Sequence, residues 1–139
     1  MIHAFHLTLG DPALDQEHAQ LQRLIEQLLQ APPAGAMEAL ARLKAYAAMH
    51  FKLEDKDLRR IGDPNANCHL DEHAAVLRSL DEVAALLAGP QPRPADLTRR
   101  LATELLRWLP EHVQVMDAGI ASVRTRERFG GAPIQVKRR

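Results

Sequence analysis

Apolar side chains recur at intervals of three and four residues through four stretches of this chain, and polar residues fill the positions between them. Such spacing places the apolar residues on one face of an α-helix and predicts that this face is buried. The first stretch follows Asp11-Pro12, because Asp11 suits the N-cap and Pro12 suits the first helical position. It is expected to end at Pro32-Pro33 and Gly35. Its inward stripe consists of Leu14, His18, Leu21, Ile25 and Leu28.

Three further helices are predicted by the same pattern and by the glycines and prolines that break it. They span about 36–60, from near Asn65 to the break at Gly89-Pro90, and from about 96 until the pattern fades after Arg124. The connections are short, so consecutive helices are expected to be antiparallel neighbours. The chain is therefore predicted to be all-α, as an up-down-up-down antiparallel four-helix bundle.

The ends of the chain are predicted to lie outside this bundle. With 139 residues the chain has the size of one domain, which we place at residues 1–129. Residues 130–139 contain glycine and end in three basic residues, and they are expected to form a loose tail. A loose N-terminal arm is expected as well, with His3 and His6 on its surface and Phe5 as its sole aromatic residue.

Composition restricts the function further. The formal net charge is zero, which gives no reason to expect nucleic acid or anionic lipid as a partner. No apolar run approaches the ~20 residues that span a bilayer, and the N-terminus lacks the pattern of a signal peptide. The chain is therefore expected to be cytoplasmic. Cys68 is its one cysteine, expected to be a bystander, and no surface indicates an obligatory oligomer.

Seven polar side chains fall on or beside the apolar stripes, and every predicted helix contributes to this set. Imidazoles and carboxylates are costly to bury unless they are paired or bind a metal. Their occurrence on all four inward faces therefore points to a shared metal site. The set consists of His18, His50, Glu54, His69, His73, His112 and Asp117.

The spacing within the set favours ligands that converge from each helix. Residues four apart lie on one helical face, as His50 and Glu54 do. His112 and Asp117 are five apart, which separates them by roughly 140° on an ideal α-helix. They either straddle the site at two levels or are aligned by a π-bulge. Pro110 predicts a kink nearby.

The donor set favours more than one metal ion. Five imidazoles and two carboxylates exceed the four ligands of a tetrahedral zinc site. Nitrogen and carboxylate donors suit iron, manganese or zinc, and carboxylates can bridge two ions. The sequence therefore predicts a site for two metals with Glu54 and Asp117 as candidate bridges.

At these residues the chain resembles the hemerythrin family, in particular the bacterial single-domain hemerythrins. Order and spacing fit the family over about residues 11 to 120, most of the chain. The matching stretches are Asp15-Gln16-Glu17-His18, His50-Phe51-Lys52-Leu53-Glu54, His69-Leu70-Asp71-Glu72-His73, and Trp108-Leu109-Pro110-Glu111-His112 continuing to Asp117.

The resemblance implies a non-haem di-iron centre with an oxo or hydroxo bridge. It implies that Glu54 and Asp117 bridge the two irons. One iron would have three histidine ligands, His69, His73 and His112, and the other would have two, His18 and His50. The iron with two histidines would keep an open position for dioxygen. The family suggests an apolar wall around that position, made by Phe51, Trp108 and Leu109.

Reversible dioxygen binding, for storage, buffering or delivery, is the function that this resemblance favours, and we expect no enzymatic activity. Carboxylate-rich sites with Glu-x-x-His pairs belong to catalytic di-iron proteins, whereas this set is rich in imidazole. Two alternatives stay open, since a fold does not determine a role. One is a sensor of oxygen, nitric oxide or redox state that signals through an unidentified protein partner. The other is a peroxidase or a nitric-oxide-handling enzyme.

Overall fold

A computed structural model describes residues 7–129 of the chain. The predictions for the N-terminal arm, with Phe5, His3 and His6, and for the tail at residues 130–139 lie outside the described residues. Between 7 and 129 the backbone is helical with short connections. The elements are α1 (Pro12–Gln30), a short 3-10 helix (Pro33–Gly35), α2 (Ala36–Ile61), α3 (Ala66–Ala88), α4 (Leu97–His112), a π-helical segment (Val113–Asp117) and α5 (Ala118–Arg128).

Local sequence explains where the helices begin and end. Asp11 caps α1, accepting a hydrogen bond at 3.1 Å from the backbone N–H of Leu14, and Pro12 takes the first position. The left-handed conformation of Gly62 (φ 70°) ends α2. The Asp63 carboxylate accepts from the backbone N–H of Asn65 at 2.7 Å, which shapes the tight turn into α3.

The helices form the predicted antiparallel four-helix bundle. α1 packs on α2 and α4, and α2 packs on α3, so each helix has its sequence neighbour beside it. The fourth member of the bundle is composite, because the π-helical segment joins α4 to α5 without a break. It also extends four residues beyond Arg124, where the periodicity fades. The single regular helix expected there is thus interrupted once, three residues after Pro110.

Two apolar clusters lie along the bundle axis and enclose a polar layer between them. The larger cluster is built around Leu28, Leu40 and Leu80, together with many other aliphatic side chains. The smaller contains Leu14, Leu58, Ile120 and Ala121 and lies toward the other end. His18, Glu54, His73 and Asp117 occupy chain positions between residues of the two clusters. Burial of the clusters therefore positions the ligands in the middle.

An ion-pair network fastens the end of the bundle near the smaller cluster. The Arg124 guanidinium forms an ion pair with the buried carboxylate of Asp11 at 3.1 Å, linking α5 to the cap of α1. Nearby, Arg60 on α2 pairs with Glu127 on α5 at 2.6 Å. Within residues 7–129, no helix has the length and apolarity that a bilayer crossing requires.

Candidate metal centre

All seven predicted ligands meet in the polar layer at the centre of the bundle. None is more than 3% exposed. Their donor atoms form two groups, and in each group these atoms lie within 4.8 Å of one another. One group contains His69, His73 and His112, the other contains His18 and His50, and Glu54 and Asp117 belong to both. The geometry brings together the complete set on which the sequence argument depends.

The five imidazoles all direct Nε2 toward the two central carboxylates. On one side, His18 Nε2 lies 3.0 Å from Asp117 and His50 Nε2 lies 2.9 Å from Glu54. On the other side, His69 Nε2 lies 2.8 Å from Asp117 and His73 Nε2 lies 3.1 Å from Glu54. Each carboxylate therefore reaches imidazoles of both groups, as a bridging ligand must.

Three of the imidazoles are held from behind by an outer carboxylate. The Nδ1–H of His50 donates to Glu17 at 2.7 Å, that of His73 donates to Asp55 at 2.7 Å, and that of His112 donates to Glu72 at 2.9 Å. A proton fixed on Nδ1 leaves the lone pair of Nε2 pointing inward. This arrangement orients histidine ligands and makes them more basic in metal sites.

Some donor atoms of the cluster face one another with no proton between them, and a metal ion would resolve this. His73 Nε2 and His112 Nε2 lie 3.2 Å apart, although both Nδ1 positions already carry the donated hydrogens. Two lone pairs at this distance repel unless a cation or a proton lies between them. Several other buried atoms lie close to one another without a well-directed hydrogen bond, namely His69 Nε2, Glu54 Oε1 and both oxygens of Asp117. The donor set therefore fits a metal.

In the absence of metal, the buried imidazoles and carboxylates shift one another's pKa values toward the charged forms. Burial lowers the pKa of His18, but Asp117 and Glu54 outweigh burial and raise this pKa to about 9. Burial likewise lowers the pKa of His50, and Glu54 contributes most to its net rise. Burial raises the pKa of Glu54, yet the surrounding imidazoles hold it well below its usual range. A metal must therefore displace protons from this cluster when it binds.

The π-helical segment explains how His112 and Asp117, five residues apart, can both point into the same cluster. In a π-helix the backbone hydrogen bonds join residue i to residue i+5, so residues five apart lie close together on one side of the helix. His112 Nε2 consequently lies 3.3 Å from Asp117 Oδ1. Of the two arrangements left open by the sequence, the alignment by a π-bulge is the one observed.

Two of the three predicted wall residues stack on histidines, and the third is buried in the larger apolar cluster. Phe51 is buried and stacks on His73, with ring centroids 4.1 Å apart and planes 9° apart. Trp108 is half-buried and stacks on His112 at 4.3 Å. Leu109 is buried in the larger apolar cluster. Their contact with a bound ligand remains a prediction.

The outer carboxylates Glu17, Asp55 and Glu72 are the residues to which sequence reasoning assigned no role. A signal for them exists, because each is adjacent in sequence to a candidate ligand. An adjacent residue points roughly 100° away around the helix and so faces the next helix of the bundle. Glu17 on α1 accordingly holds a histidine of α2, Asp55 on α2 one of α3, and Glu72 on α3 one of α4.

Two other side chains near the ligands have no direct part in the cluster. Cys68 precedes His69 and is exposed and free, and its role as a bystander stays a prediction. Tyr46 lies one turn before His50 and packs against the larger apolar cluster.

Fold and site together define a class: four-helix-bundle proteins with a buried histidine and carboxylate cluster suited to metal binding. A family model described as "Hemerythrin HHE cation binding domain" matches residues 9–122. A bacteriohemerythrin from Ralstonia nicotianae is 36% identical over 115 residues, which cover 80% of this chain and 79% of that protein. No solved structure matches the chain. The chain belongs to the hemerythrin family.

Proposed function

We propose that the protein binds dioxygen reversibly at a pair of iron ions and acts as a carrier or store rather than as an enzyme. The observation that carries the proposal is the unequal division of the histidines. One group of donor atoms contains three imidazoles and the other contains two, while Glu54 and Asp117 belong to both groups. An iron with fewer protein ligands keeps a position that a small molecule can occupy.

When bound, the iron pair would supply the electrons and the open position that dioxygen requires. The residues of the chain would do the rest. His69, His73 and His112 would saturate one iron, and His18 and His50 would hold the other. Neutral imidazoles outnumber the carboxylates, a balance that supports binding over the high-valent chemistry of carboxylate-rich sites.

Exclusion of water is the second requirement for reversibility. The two apolar clusters close the polar layer along the bundle axis, and the candidate ligands are almost fully buried. A dry site slows the proton transfers that would release reduced oxygen and leave the iron oxidised. Phe51, buried against His50 and His73, and Leu109, buried in the larger apolar cluster, support this role.

The direct test is an oxygenation spectrum. Reduced, iron-loaded protein exposed to air should gain a visible charge-transfer band, and the band should disappear on deoxygenation over repeated cycles. If air instead yields an irreversible diferric form within seconds, the carrier proposal fails and a sensor or an oxidase is favoured. Steady turnover of hydrogen peroxide or nitric oxide would likewise contradict the proposal, because a carrier only binds.

Two substitutions test the division of ligands. His50→Ala should weaken binding at the position with two histidines and leave one iron per chain. Glu54→Ala removes a ligand that both positions share, so paired occupancy should be lost. Metal analysis that finds two irons per chain in the Glu54→Ala variant would contradict the bridging role.

A further inference from the structure

A cleft between α1, α2 and α5 leads from solvent to the two-histidine group, His18 and His50. Its volume is about 640 Å³. Glu54, which is 2% exposed and belongs to both ligand groups, lines this cleft. Glu17 lines it as well, and its carboxylate is 26% exposed and accepts the Nδ1–H of His50. The cleft thus joins solvent to a candidate ligand and to the residue that orients another.

The charges of the cleft are paired differently at its two ends. Toward the end of the bundle they form ion pairs, of Arg60 with Asp57 and Glu127 and of Arg124 with Asp11. Lys56 and Arg128 also line the cleft and are exposed. Next to the cluster, the partners of Glu17 and Glu54 among the described residues are histidines. The part of the cleft beside the cluster is therefore the part that suits a metal cation.

The two groups of ligands are not held equally from behind. In the three-histidine group, His73 and His112 each donate to an outer carboxylate. In the two-histidine group His50 does so, whereas His18 Nδ1 is buried and has no hydrogen-bond partner among the described residues. A metal position with fewer imidazoles and fewer outer partners holds its ion more weakly.

Other surface openings reach the cluster on its three-histidine side. A groove of about 590 Å³ between α3 and α4 is lined by His112, and an opening of about 290 Å³ is lined by His69. Trp108 covers the ring of His112, on which it stacks at 4.3 Å. Of the described residues that line these openings, none is a carboxylate shared by the two groups. The cleft between α1, α2 and α5 therefore offers the more direct route to a shared ligand.

We propose that the chain exchanges the ion of the two-histidine position through the cleft between α1, α2 and α5, while the three-histidine group retains its own ion. The inference rests on the pair of metal positions in the proposed function, but not on their reaction with oxygen. It adds to that function a one-iron form and a route by which the second iron is taken up and lost.

Release of iron to a chelator tests whether one ion leaves first. Full-length protein loaded with two ferrous ions is mixed, without oxygen, with an excess of a coloured ferrous chelator. One iron per chain should be released at least about tenfold faster than the other, because outer partners alone alter metal affinity about 10- to 100-fold. Release of both irons in a single phase, or failure of the chain to hold a second iron, would overturn the proposal.

Variants of the outer carboxylates assign the two phases. Glu17→Gln should accelerate the fast phase alone, because Glu17 holds His50. Asp55→Asn should accelerate the slow phase alone, because Asp55 holds His73. The opposite assignment would mean that the three-histidine group loses its ion first, and the proposal would be wrong.

Bulky side chains test the route. Leu53→Trp narrows the cleft at a residue that is 52% exposed, so it should slow loading and fast release about tenfold each and leave the equilibrium affinity unchanged. Two controls should change neither rate: Met49→Trp, one turn earlier on α2 and outside the cleft, and Val115→Trp, on the wall of both other openings. Circular dichroism confirms that each variant is folded.

Unchanged rates in the Leu53→Trp variant, or slowed rates in the Val115→Trp variant, would overturn the route. These outcomes are separate from those of the proposed function. A protein that releases its irons in two phases but is oxidised irreversibly by air would contradict the carrier proposal alone. A protein that oxygenates reversibly but loses both irons together would contradict the exchange proposal alone.

Discussion

At the scale of single residues, each outer carboxylate acts through the imidazole that it holds. Glu17 is half-buried and accepts the Nδ1–H of His50, which directs the opposite nitrogen toward the centre. Such partners orient the ligand ring and raise its basicity. Their contribution can be separated from that of the ligands because they do not touch the metal position themselves.

Glu17→Gln is therefore expected to weaken metal binding about 10- to 100-fold while leaving the helical content unchanged. The measurement is a competition titration of the protein against a chelator of known affinity, with helical content from circular dichroism. Glu26→Gln is the control, since Glu26 lies on the same helix and has no contact with a candidate ligand. Equal metal affinity in the Glu17→Gln variant and the control would show that Glu17 does not support the site.

The raised pKa of His18 has a consequence for stability in the absence of metal. Its pKa is about 9 in the folded protein and ordinarily 6.5, so the folded state holds this proton more tightly than the unfolded state. The resulting stabilisation is complete below about pH 6.5 and is lost as the pH rises through 9.

Metal-free protein should accordingly melt at lower temperature at pH 9 than at pH 6.5. The melting curves are recorded by circular dichroism at both values, and His18→Gln should flatten the difference. Metal-loaded protein should lack this particular decline, because the metal has already replaced the proton. A metal-free melting temperature that is constant or rises over this interval would contradict the prediction.

At the scale of elements, the π-helical segment between α4 and α5 is what allows the fourth member of the bundle to direct both His112 and Asp117 into the cluster. A π-segment accommodates one extra residue within a helix. Removing one residue from it would leave His112 and the aspartate four apart, a spacing that an ordinary α-helix places on one face. The fold should therefore tolerate a one-residue deletion in the π-helical segment that it would not tolerate in the regular part of α4.

Deletion of Val115, an exposed residue of this segment, is therefore expected to preserve both the helical content and the metal stoichiometry. Deletion of Arg107, an exposed residue in the regular part of α4, shifts everything beyond it by roughly 100° and should lose the metal. Metal analysis and circular dichroism of the two variants decide this. Loss of both metals on deleting Val115 would mean that the segment itself, and not only the register it corrects, is required.

This segment also shows how far the sequence could predict the structure. The helix boundaries at Asp11 and Gly62 could be predicted from capping residues and from the apolar periodicity. The seven candidate ligands could be picked out of the sequence because imidazoles and carboxylates interrupt its apolar stripes. The choice between a straddling and a π-bulged geometry for His112 and Asp117 depends on how α4 and α5 pack, which no local pattern encodes. The roles of the outer carboxylates could not be predicted for a related reason, since the histidines that they bond lie on other helices.

At the scale of the whole molecule, the bundle holds a charged layer between two apolar ones. Buried imidazoles and carboxylates are costly without a counter-charge, so the folded protein should be most stable with its metal. A ligand that binds the folded state alone stabilises it by about 3–4 kcal/mol at 100–1,000 times its dissociation constant.

Removing the metal with a chelator should thus lower the melting temperature by about 10 °C at neutral pH. Glu54→Ala should be compared in parallel, since a variant without paired occupancy should lose most of this dependence on metal. Calorimetry provides the melting temperatures, and metal analysis confirms the state of each sample. Identical melting temperatures with and without chelator would argue against a metal at the centre.

The two ion pairs at the end of the bundle differ in how they respond to ionic strength. Arg60 and Glu127 are each roughly half exposed, so molar salt screens their attraction. Asp11 is 1% exposed and bonds Arg124 from within the protein, where dissolved ions reach it poorly. In concentrated brine this end of the bundle should therefore be held by the inner pair, which joins the first helix to the last, and not by the pair that joins α2 to α5.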